Sequence, residues 1–524
     1  MALTKATYRM TSGAPVNILD YIPQNLHSGI KDLTTTTPVH TYIQQAMDDG
    51  AGSIYFPMGK YVVLAPIFFN GGESGSTQAS NLIIIGENRT STYLWVDTTT
   101  GAFAASAGGT KATFINQANN GKLSFRNIRW QGDITGGYGI YALEGGTDSA
   151  QAMFSGDISD CWISLSTTNA GFFYGALNNF TVQNCTFESA KCCFFLTGTG
   201  NADIHFSNNV VYSSFDGFIN AALDTSTKNM VTINGLNAYS FYRDALISLD
   251  SCTNWSMNNI NLQGDPTYAT TDIGLLDVKD STNITLSNFT CSGTLHEVVR
   301  FDGAELKVSN GLIDTCVAGF YAYGSSVSTD LFVENVNVTG ASIGSYWDQS
   351  STQGGNIYID NCIWLDAAGN HWATQGTPSY NVKISNSRFI NAGYPSGSSS
   401  TRNLSFLTSG DVLVENSEIG RTSASAAANS YVDQAGSGDC TLMNCTFTDL
   451  AAPSTEIVTS TGPVKILGGL NNRYAQYYAS AAPTTGTWKI GDKVFNTAPS
   501  VGNPKGWVCT VAGTPGTWVS EGNL

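Results

Sequence analysis

Apolar and polar residues alternate along much of the chain in short runs, and a recurring asparagine interrupts the alternation. Clear examples are the segments FTVQNCTF (180–187), ITLSNFTC (284–291) and IYIDNCIW (357–364). Apolar residues lie four and two positions before the asparagine, and one and three positions after it. A period of two is typical of a β-strand, and a shift by one residue exchanges its two faces. The chain can keep one apolar face only by bending, so the pattern predicts two strands joined by a corner at the asparagine.

This unit recurs fourteen times, at spacings of 22 to 33 residues with a mean of about 26. Eleven of the fourteen central residues are Asn, and the residue two positions earlier is always apolar. Asparagine and glycine suit a corner because both tolerate the left-handed backbone conformation. The central residues are Asn127, Asp160, Asn184, Asn208, Gly235, Asn259, Asn288, Asn310, Asn335, Asn361, Asn386, Asn416, Asn444 and Gly468.

A strand-based repeat of this length predicts a solenoid, and the segments between the units indicate its type. A leucine-rich repeat needs a helical return segment, but stretches such as TGTGNAD (197–203) and SSTQGGN (350–356) are too rich in Gly, Ser and Thr for helix. The uneven spacing also disagrees with a six-residue repeat. The sequence therefore predicts an all-β protein, a parallel β-helix of about 14 coils.

The composition narrows the range of partners. The 524 residues are 42% hydrophobic and only 12% charged, with a net charge of −16 and no cluster of Lys and Arg. The electrostatic attraction that drives nucleic-acid binding is therefore missing, so we expect no nucleic-acid partner. No apolar run approaches the roughly 18 residues of a membrane span, and residues 1–10 lack the hydrophobic core of a signal peptide. We expect neither membrane insertion nor secretion by a signal peptide.

The cysteines and histidines do not form a metal-binding pattern. Eleven cysteines are spread over a long chain, which predicts reduced, buried thiols rather than a disulfide framework. Cys161, Cys185, Cys362 and Cys445 share the position directly after the corner and are predicted to face the core. No Cys-x-x-Cys or His-x-x-x-His pair occurs, so we expect no metal and no other cofactor.

The repeat and its flanking segments resemble the right-handed parallel β-helix tailspikes of bacteriophages, capsular polysaccharide depolymerases within the wider pectate-lyase-like superfamily. The segment VNILDY (16–21), a helix predicted over 38–49 and the segment SIYFPMGKYVV (53–63) look like the entry of such tailspikes, where a helix caps the open end of the solenoid. The stretch GTWKIGDKVFN…GTW (486–518) is similar to a small β module that ends many phage tail proteins.

This resemblance implies a domain organisation and a setting. It implies a short N-terminal anchor peptide (1–15), an N-terminal cap with the first coils (16–122), a catalytic β-helix (123–474) and a small C-terminal β module for trimerisation or carbohydrate binding (475–524). It further implies a homotrimer in the virion tail, attached to other phage tail proteins through its N-terminus. Such a protein is made in the bacterial cytoplasm and acts at the host cell surface on capsular polysaccharide or O-antigen.

The catalytic motifs of the metal-dependent pectate lyases and of the polygalacturonases are missing, so a site must be predicted from coil geometry. Glycosidases place two carboxyl groups about 5 Å or about 6.5–9.5 Å apart. Equivalent side chains on stacked strands are about 4.8 Å apart, so one or two coils provide either separation.

Three consecutive coils concentrate charge in their third segments, which are SFYRDALISLDS (240–251), TTDIGLLDVKDS (270–281) and TLHEVVRFDGAE (294–305). Alignment of their apolar positions predicts two outward columns, Ser248 with Asp277 and Arg300, and Asp250 with Lys279 and Asp302. We predict the catalytic acid and base among Asp244, Asp272, Asp277 and Glu297. The predicted substrate-binding residues nearby are Tyr242, Arg243, Tyr268, His296 and Arg300.

A second group of candidates lies later in the chain. Trp347 and Trp372 are predicted to lie in loops and to bind sugars, because carbohydrates stack on aromatic faces. Trp364 occupies an apolar position of the repeat and is predicted to belong to the core.

The sequence thus predicts a tailspike that binds and depolymerises bacterial surface polysaccharide by glycosidic bond hydrolysis with paired carboxylates. A polysaccharide lyase that works by β-elimination and a non-catalytic receptor-binding adhesin are the alternatives. A charged ladder that only fixes strand register is the alternative interpretation of Asp277, Arg300 and Lys279.

Overall fold

A computed structural model gives the structure of the chain. It describes residues 14–69, 81–97, 111–116, 121–133, 137–142, 153–165, 171–188, 192–198, 201–212, 217–223, 230–239, 245–264, 274–323, 328–348, 354–375, 379–392, 402–422, 430–449, 456–460, 464–468, 477–484, 488 and 490–524.

The helices of the described residues lie at the N-terminal end. Two 3-10 turns (Ile18–Asp20 and Gln24–Leu26) precede helix α1 (His27–Lys31) and helix α2 (His40–Asp48). Helix α2 confirms the helix predicted over 38–49, and it buries Ile43, Ala46 and Met47, which the helical period brings to one face.

Strands make up most of the remaining described chain. The N-terminal strands are β1 (Val16–Asn17), β2 (Ser53–Phe56), β3 (Gly59–Val63), β4 (Ile67–Phe69), β5 (Asn81–Gly86), β6 (Thr92–Asp97), β7 (Lys111–Asn116), β8 (Gly121–Arg126), β9 (Arg129–Asp133), β10 (Gly137–Ala142), β11 (Met153–Ser159), β12 (Trp162–Leu165), β13 (Gly171–Gln183) and β14 (Thr186–Glu188). The central strands are β15 (Cys192–Gly198), β16 (Ala202–Tyr212), β17 (Ile219–Leu223), β18 (Val231–Tyr239), β19 (Ile247–Asp250), β20 (Thr253–Gln263), β21 (Leu276–Lys279), β22 (Thr282–Asp302), β23 (Glu305–Ala322), β24 (Thr329–Thr339), β25 (Ile343–Asp348), β26 (Gly354–Asp360), β27 (Ile363–Leu365) and β28 (Trp372–Gln375). The C-terminal strands are β29 (Ser379–Ser385), β30 (Arg388–Ile390), β31 (Arg402–Phe406), β32 (Val412–Glu415), β33 (Glu418–Arg421), β34 (Ser430–Gln434), β35 (Cys440–Met443), β36 (Thr446–Asp449), β37 (Glu456–Ser460), β38 (Val464–Leu467), β39 (Tyr477–Ala479), β40 (Lys493–Asn496), β41 (Gly506–Val511) and β42 (Thr517–Ser520).

Successive coils stack in parallel along the whole solenoid. The strands that contain or directly precede the fourteen predicted centres pair one after another from β8 to β38. Two further columns of parallel strands follow the same order, one after the asparagine corner and one on the third side of each coil. These pairings confirm the predicted parallel β-helix.

The corners have the conformation that the sequence predicts. All fourteen central residues have positive φ, from 50° at Asn416 to 74° at Gly235. Their side chains also link the coils, since Asn361 Nδ2 donates to Asn335 Oδ1 over 2.6 Å and Asn335 Nδ2 donates to Asn310 Oδ1 over 3.1 Å. The asparagines therefore bend the chain and hold neighbouring coils together.

Helix α2 covers the open strand edge of the first coil. The amide of Gln44 accepts a hydrogen bond from the backbone N–H of Phe68 over 2.8 Å and donates one to the Phe68 carbonyl over 3.1 Å. One side chain thus replaces the missing neighbour of strand β4, which is the role expected of a cap.

The interior is a continuous apolar column. The residue two positions before the corner is buried in every coil whose side chain is described there, from Phe125 to Leu442. Each of the eleven cysteines lies in the described part of the chain and is buried as a thiol, as the sequence predicts. Burial raises the pKa of Cys440 to about 12, so this thiol stays protonated and acts as a small apolar group.

A separate small sheet follows the solenoid. It contains β39, β40, β41 and β42, and the last three pair antiparallel. A small C-terminal β module is therefore present, and its function remains a prediction.

Candidate functional site

Residues from neighbouring coils form the predicted outward column on the third side of the solenoid. Ser248 pairs with Asp277 in register, Asp277 pairs with Arg300, and Arg300 pairs with Tyr321. The side chains are partly exposed and alternate with buried neighbours such as Val299. The first predicted column is therefore confirmed, and the structure extends it to Tyr321.

The second predicted column lies two residues further along the same strands. Asp250 pairs with Lys279, and Lys279 pairs with Asp302. The backbone N–H of Tyr323 donates to the carbonyl of Phe301 over 3.1 Å, which places Tyr323 next to Asp302 in the following coil. The register of this column is therefore confirmed, but Asp302 is buried rather than outward-facing as predicted.

Tyr323 links the two columns. Its hydroxyl donates a hydrogen bond to Asp277 Oδ1 over 2.8 Å, although one coil lies between them. The guanidinium of Arg300 lies over the Tyr323 ring, 4.7 Å from its centroid. Burial, strengthened by the negative charge of Asp277 and the hydrogen bond to it, raises the pKa of Tyr323 far above its ordinary value. The phenol is therefore a hydrogen-bond donor at neutral pH.

Glu297 lies beside this group in an unusual position. It directly precedes the buried pair Val298 and Val299, where the neighbouring coils have the small residues Gly274 and Ala318. A Cβ on Gly274 would lie 2.3 Å from the Glu297 carbonyl oxygen, so only glycine fits against this segment. A carboxylate in a column of small residues is not needed for packing, which makes Glu297 a candidate functional residue.

Polar partners surround the carboxylate of Glu297, whose side chain is 10% exposed. Arg300 Nε lies 3.3 Å from Oε2, and His296 Nδ1 lies 3.2 Å from Oε1. A buried carboxylate is costly unless it is paired, and these contacts stabilise its ionised form. Glu297 and Asp277 are thus both placed to accept protons or hydrogen bonds.

Several predicted site residues lie outside the described residues. They are Tyr242, Arg243, Asp244, Tyr268 and Asp272. Their roles remain predictions. The structure brings together the other four members of the predicted group on coils 274–323, namely Asp277, His296, Glu297 and Arg300.

The prediction that Trp372 binds sugar from a loop is wrong. Trp372 begins strand β28, pairs in register with the core residue Leu404, and has no exposed surface. It packs edge to face against Trp364, with 6.5 Å between ring centroids, and Trp364 is buried as predicted. A fully buried indole cannot stack on a sugar.

Trp347 also lies in a strand rather than in the predicted loop. It belongs to β25, and its backbone pairs with that of Ala322. Whether it binds substrate stays a prediction. His371, which precedes Trp372 in the chain, is buried, and burial lowers its pKa to about 3, so it is neutral and structural.

Tyr323 is the site residue that the sequence analysis missed. It follows Phe320, Tyr321 and Ala322, in which buried and partly exposed residues alternate. Extending each predicted column by one coil would have found both tyrosines. Tyr321 follows Arg300 in the first column, and Tyr323 follows Asp302 in the second.

No group of three or more His, Cys, Asp and Glu side chains in the described ranges is arranged to hold a metal ion. Among the helices of the described chain, none has the length and apolar character needed to cross a membrane.

Comparisons with known proteins give distant matches of fold. No protein-family profile and no curated sequence matches the chain. The A-module of mannuronan C-5 epimerase AlgE6 from Azotobacter vinelandii is 16% identical with a TM-score of 0.33, over 87% of this chain and 99% of that one. Tailspike protein 3 of bacteriophage CBA120 is 10% identical with a TM-score of 0.38, over 97% and 69%. PfbA, a surface adhesin of Streptococcus pneumoniae, is 11% identical with a TM-score of 0.32, over 97% and 100%.

The class of protein defined by the strand pairings is the parallel β-helix. The matched proteins include an epimerase, a tailspike and an adhesin, so their likeness to this chain does not select an activity.

Proposed function

We propose that this chain is a phage tailspike that binds bacterial capsular polysaccharide or O-antigen and depolymerises it by hydrolysing glycosidic bonds. One observation carries the catalytic part of the proposal. Three consecutive coils bring Asp277, Glu297, Arg300 and Tyr323 into one connected group on the third side of the solenoid. Elsewhere the chain has few charged residues, so this concentration is distinctive.

The geometry supports specific roles. Glycoside hydrolysis needs one ionised carboxylate, which acts as base or nucleophile, and one protonated carboxyl group, which acts as acid. Asp277 suits the first role, because the Tyr323 hydroxyl stabilises its ionised form through a 2.8 Å hydrogen bond. Glu297 is held by Arg300 and is a second candidate for that role. The acid is then proposed to be Asp244 or Asp272, the other two residues of the predicted catalytic set.

The state of Tyr323 favours hydrolysis over elimination. A lyase needs a base that removes the proton next to a uronate carboxyl group. A tyrosine does this well only if its pKa is lowered, whereas burial and Asp277 raise the pKa of Tyr323. The described phenol is a donor, so it supports a carboxylate-based mechanism.

The remaining parts of the proposal rest on the sequence resemblance. We propose a homotrimer in the virion tail that joins other phage tail proteins through its N-terminus. The C-terminal sheet from β39 to β42 is proposed to serve trimerisation or carbohydrate binding.

A non-catalytic adhesin is the second candidate, and one observation favours it. Both carboxylates of the described group already contact donors, Tyr323 in one case and Arg300 in the other. Such contacts also occur in a group that only binds sugar hydroxyls.

Incubation of the full chain with a panel of purified capsules and O-antigens separates these functions. A hydrolase shortens one polymer and frees reducing ends without new ultraviolet absorbance. Products that absorb as unsaturated uronates would identify a lyase, and binding without any change in polymer size would identify an adhesin.

A further inference from the structure

We infer that the site accepts a stretch of polysaccharide whose sugars carry no carboxylate or other acidic group, an inference that rests on the proposed function. Most of the ionisable side chains around the site are acidic. Four carboxyl groups and two cations line the two columns and their rim. They are Asp250, Asp277, Glu297 and Asp302, with Lys279 and Arg300.

The two columns and their rim therefore have an excess of acidic over basic side chains. A protonated His296 would reduce this excess without reversing it, and Asp280, 4.0 Å from Lys279 Nζ, adds to it. The net charge of the chain is −16, so the rest of the molecule does not supply a compensating positive field.

The two cations are already engaged with the protein's own carboxylates. Arg300 Nε lies 3.3 Å from Glu297 Oε2, and Lys279 Nζ lies 3.8 Å from Asp250 Oδ2. A uronate that used either cation would have to compete with a carboxylate fixed on the solenoid. It would also approach Asp277, which is adjacent to Arg300 in the same column.

Burial makes this repulsion stronger than at an open surface. Only 10% of the Glu297 side chain is exposed, so water screens its charge poorly. Salt affects such charges less than exposed ones. The site should therefore discriminate against an acidic sugar even at moderate ionic strength.

Uncharged sugars match the same groups. Hydroxyl and N-acetyl groups donate hydrogen bonds, and carboxylates such as Asp277 are acceptors. Tyr321 and Tyr323 present nearly parallel rings at an angle of 14°, with 6.4 Å between centroids, and both are partly exposed. Aromatic side chains of this kind pack against the apolar faces of pyranose rings.

A chemically matched pair of polymers tests the inference. The panel contains uronate-bearing and uronate-free bacterial polysaccharides, and each uronate polymer is also offered after reduction of its carboxyl groups to the neutral sugar. Reduction removes the charge and leaves the linkages unchanged. Affinity for the full chain is measured for every polymer at low and moderate salt, together with product size.

We expect the polymer bound by the chain to be free of uronate, and any reduced polymer that binds to do so about tenfold or more tightly than its acidic parent. A parent that binds as tightly as its reduced form, or more tightly, would overturn the inference. If an acidic parent polymer binds, its affinity is measured again with Arg300→Gln and with Arg388→Gln, a matched control from the Arg388–Glu418 pair. A loss of affinity in Arg300→Gln alone would show that Arg300 binds the uronate.

The experiment also separates the inference from the proposed function. Cleavage of an acidic polymer would support the proposed depolymerase function and refute only the inferred substrate class. Binding of a neutral polymer without cleavage would refute hydrolysis and support the substrate class. No binding to any polymer would refute the proposed function, and the inference with it.

Discussion

Tyr323 donates a hydrogen bond to Asp277 across 46 residues of sequence, and the two atoms are 2.8 Å apart. The contact exists because the coils stack in fixed register, with Asp277, Arg300 and Tyr321 in successive strands. It allows one coil to set the hydrogen bonding of a carboxylate two coils away. The site is thus a property of several coils rather than of one loop.

This contact makes a prediction that does not depend on activity. Asp277→Asn should lower the raised pKa of Tyr323. Burial is the largest cause of the raised pKa, and the charge of Asp277 and the hydrogen bond to it raise it further. Nuclear magnetic resonance of ring-labelled tyrosine, with Tyr323→Phe to assign the signal, measures the change. An unchanged Tyr323 titration would mean that the two side chains do not interact in solution.

The corner asparagines make a second prediction. Asn361→Ala should destabilise the protein by about 2 kcal/mol, from about 1 kcal/mol for left-handed backbone and about 1 kcal/mol for a lost hydrogen bond. Asn361 has φ of 52° and donates to Asn335 over 2.6 Å. Urea unfolding measures the change in free energy.

Two variants control the corner experiment. Asn361→Gly retains the conformation and loses only the side-chain bond, so it should cost less than Asn361→Ala. Asn337→Ala removes an exposed asparagine that is not at a corner and should have little effect. Equal losses at Asn337 and Asn361 would contradict the role of the corners.

The repeat allowed much of the fold to be predicted, because each corner needs the same backbone conformation and each strand the same buried face. Ser248, Asp277 and Arg300 were aligned correctly for this reason. The contact between Glu297 and Arg300 was not predictable from alternation alone. The register shifts between Ser292 and Leu295, and two consecutive residues, Val298 and Val299, are both buried.

The misplacement of Trp372 has a similar cause. Trp372 lies outside the repeating unit that surrounds each corner asparagine, so the alternation predicted no register for it. Local composition pointed to a loop, whereas pairing with Leu404 places the indole in the core.

The buried state of Trp372 makes a third prediction. Trp372→Ala should cost about 3–5 kcal/mol of stability, because it removes a large side chain without exposed surface. Trp372→Phe should cost less and leave polysaccharide affinity unchanged. A tenfold loss of affinity in a stable Trp372→Phe protein would restore this residue as a sugar ligand.

The Arg126–Asp157 pair makes a prediction about acid. Burial opposes ionisation of Asp157, but hydrogen bonds from Arg126 and Ser124 outweigh it and lower the pKa of Asp157. The stabilisation is therefore present above the pKa of an unfolded aspartate and is lost as the pH falls through the lowered folded value. The side chains are 47% and 21% exposed, so Asp157→Asn should cost only about 0–1 kcal/mol at neutral pH.

Unfolding of the Asp157→Asn variant and the parent protein at pH 7, 5, 4, 3 and 2 checks this sign. The difference in stability should shrink towards the acid end. A difference that grows as the pH falls would contradict the assigned ion pair.

The central claim is that Asp277 and Glu297 serve hydrolysis rather than strand register. Its most direct test is the rate of polysaccharide cleavage by Asp277→Asn and Glu297→Gln, with Glu415→Gln as a control because Glu415 forms a comparable pair with Lys383 at 2.9 Å. The account predicts that at least one site variant loses about 10²–10⁴ in rate with unchanged β-sheet circular dichroism, melting temperature and polymer affinity, while the control keeps its activity. Full cleavage rates in both folded site variants, or an equal loss in the control, would contradict it.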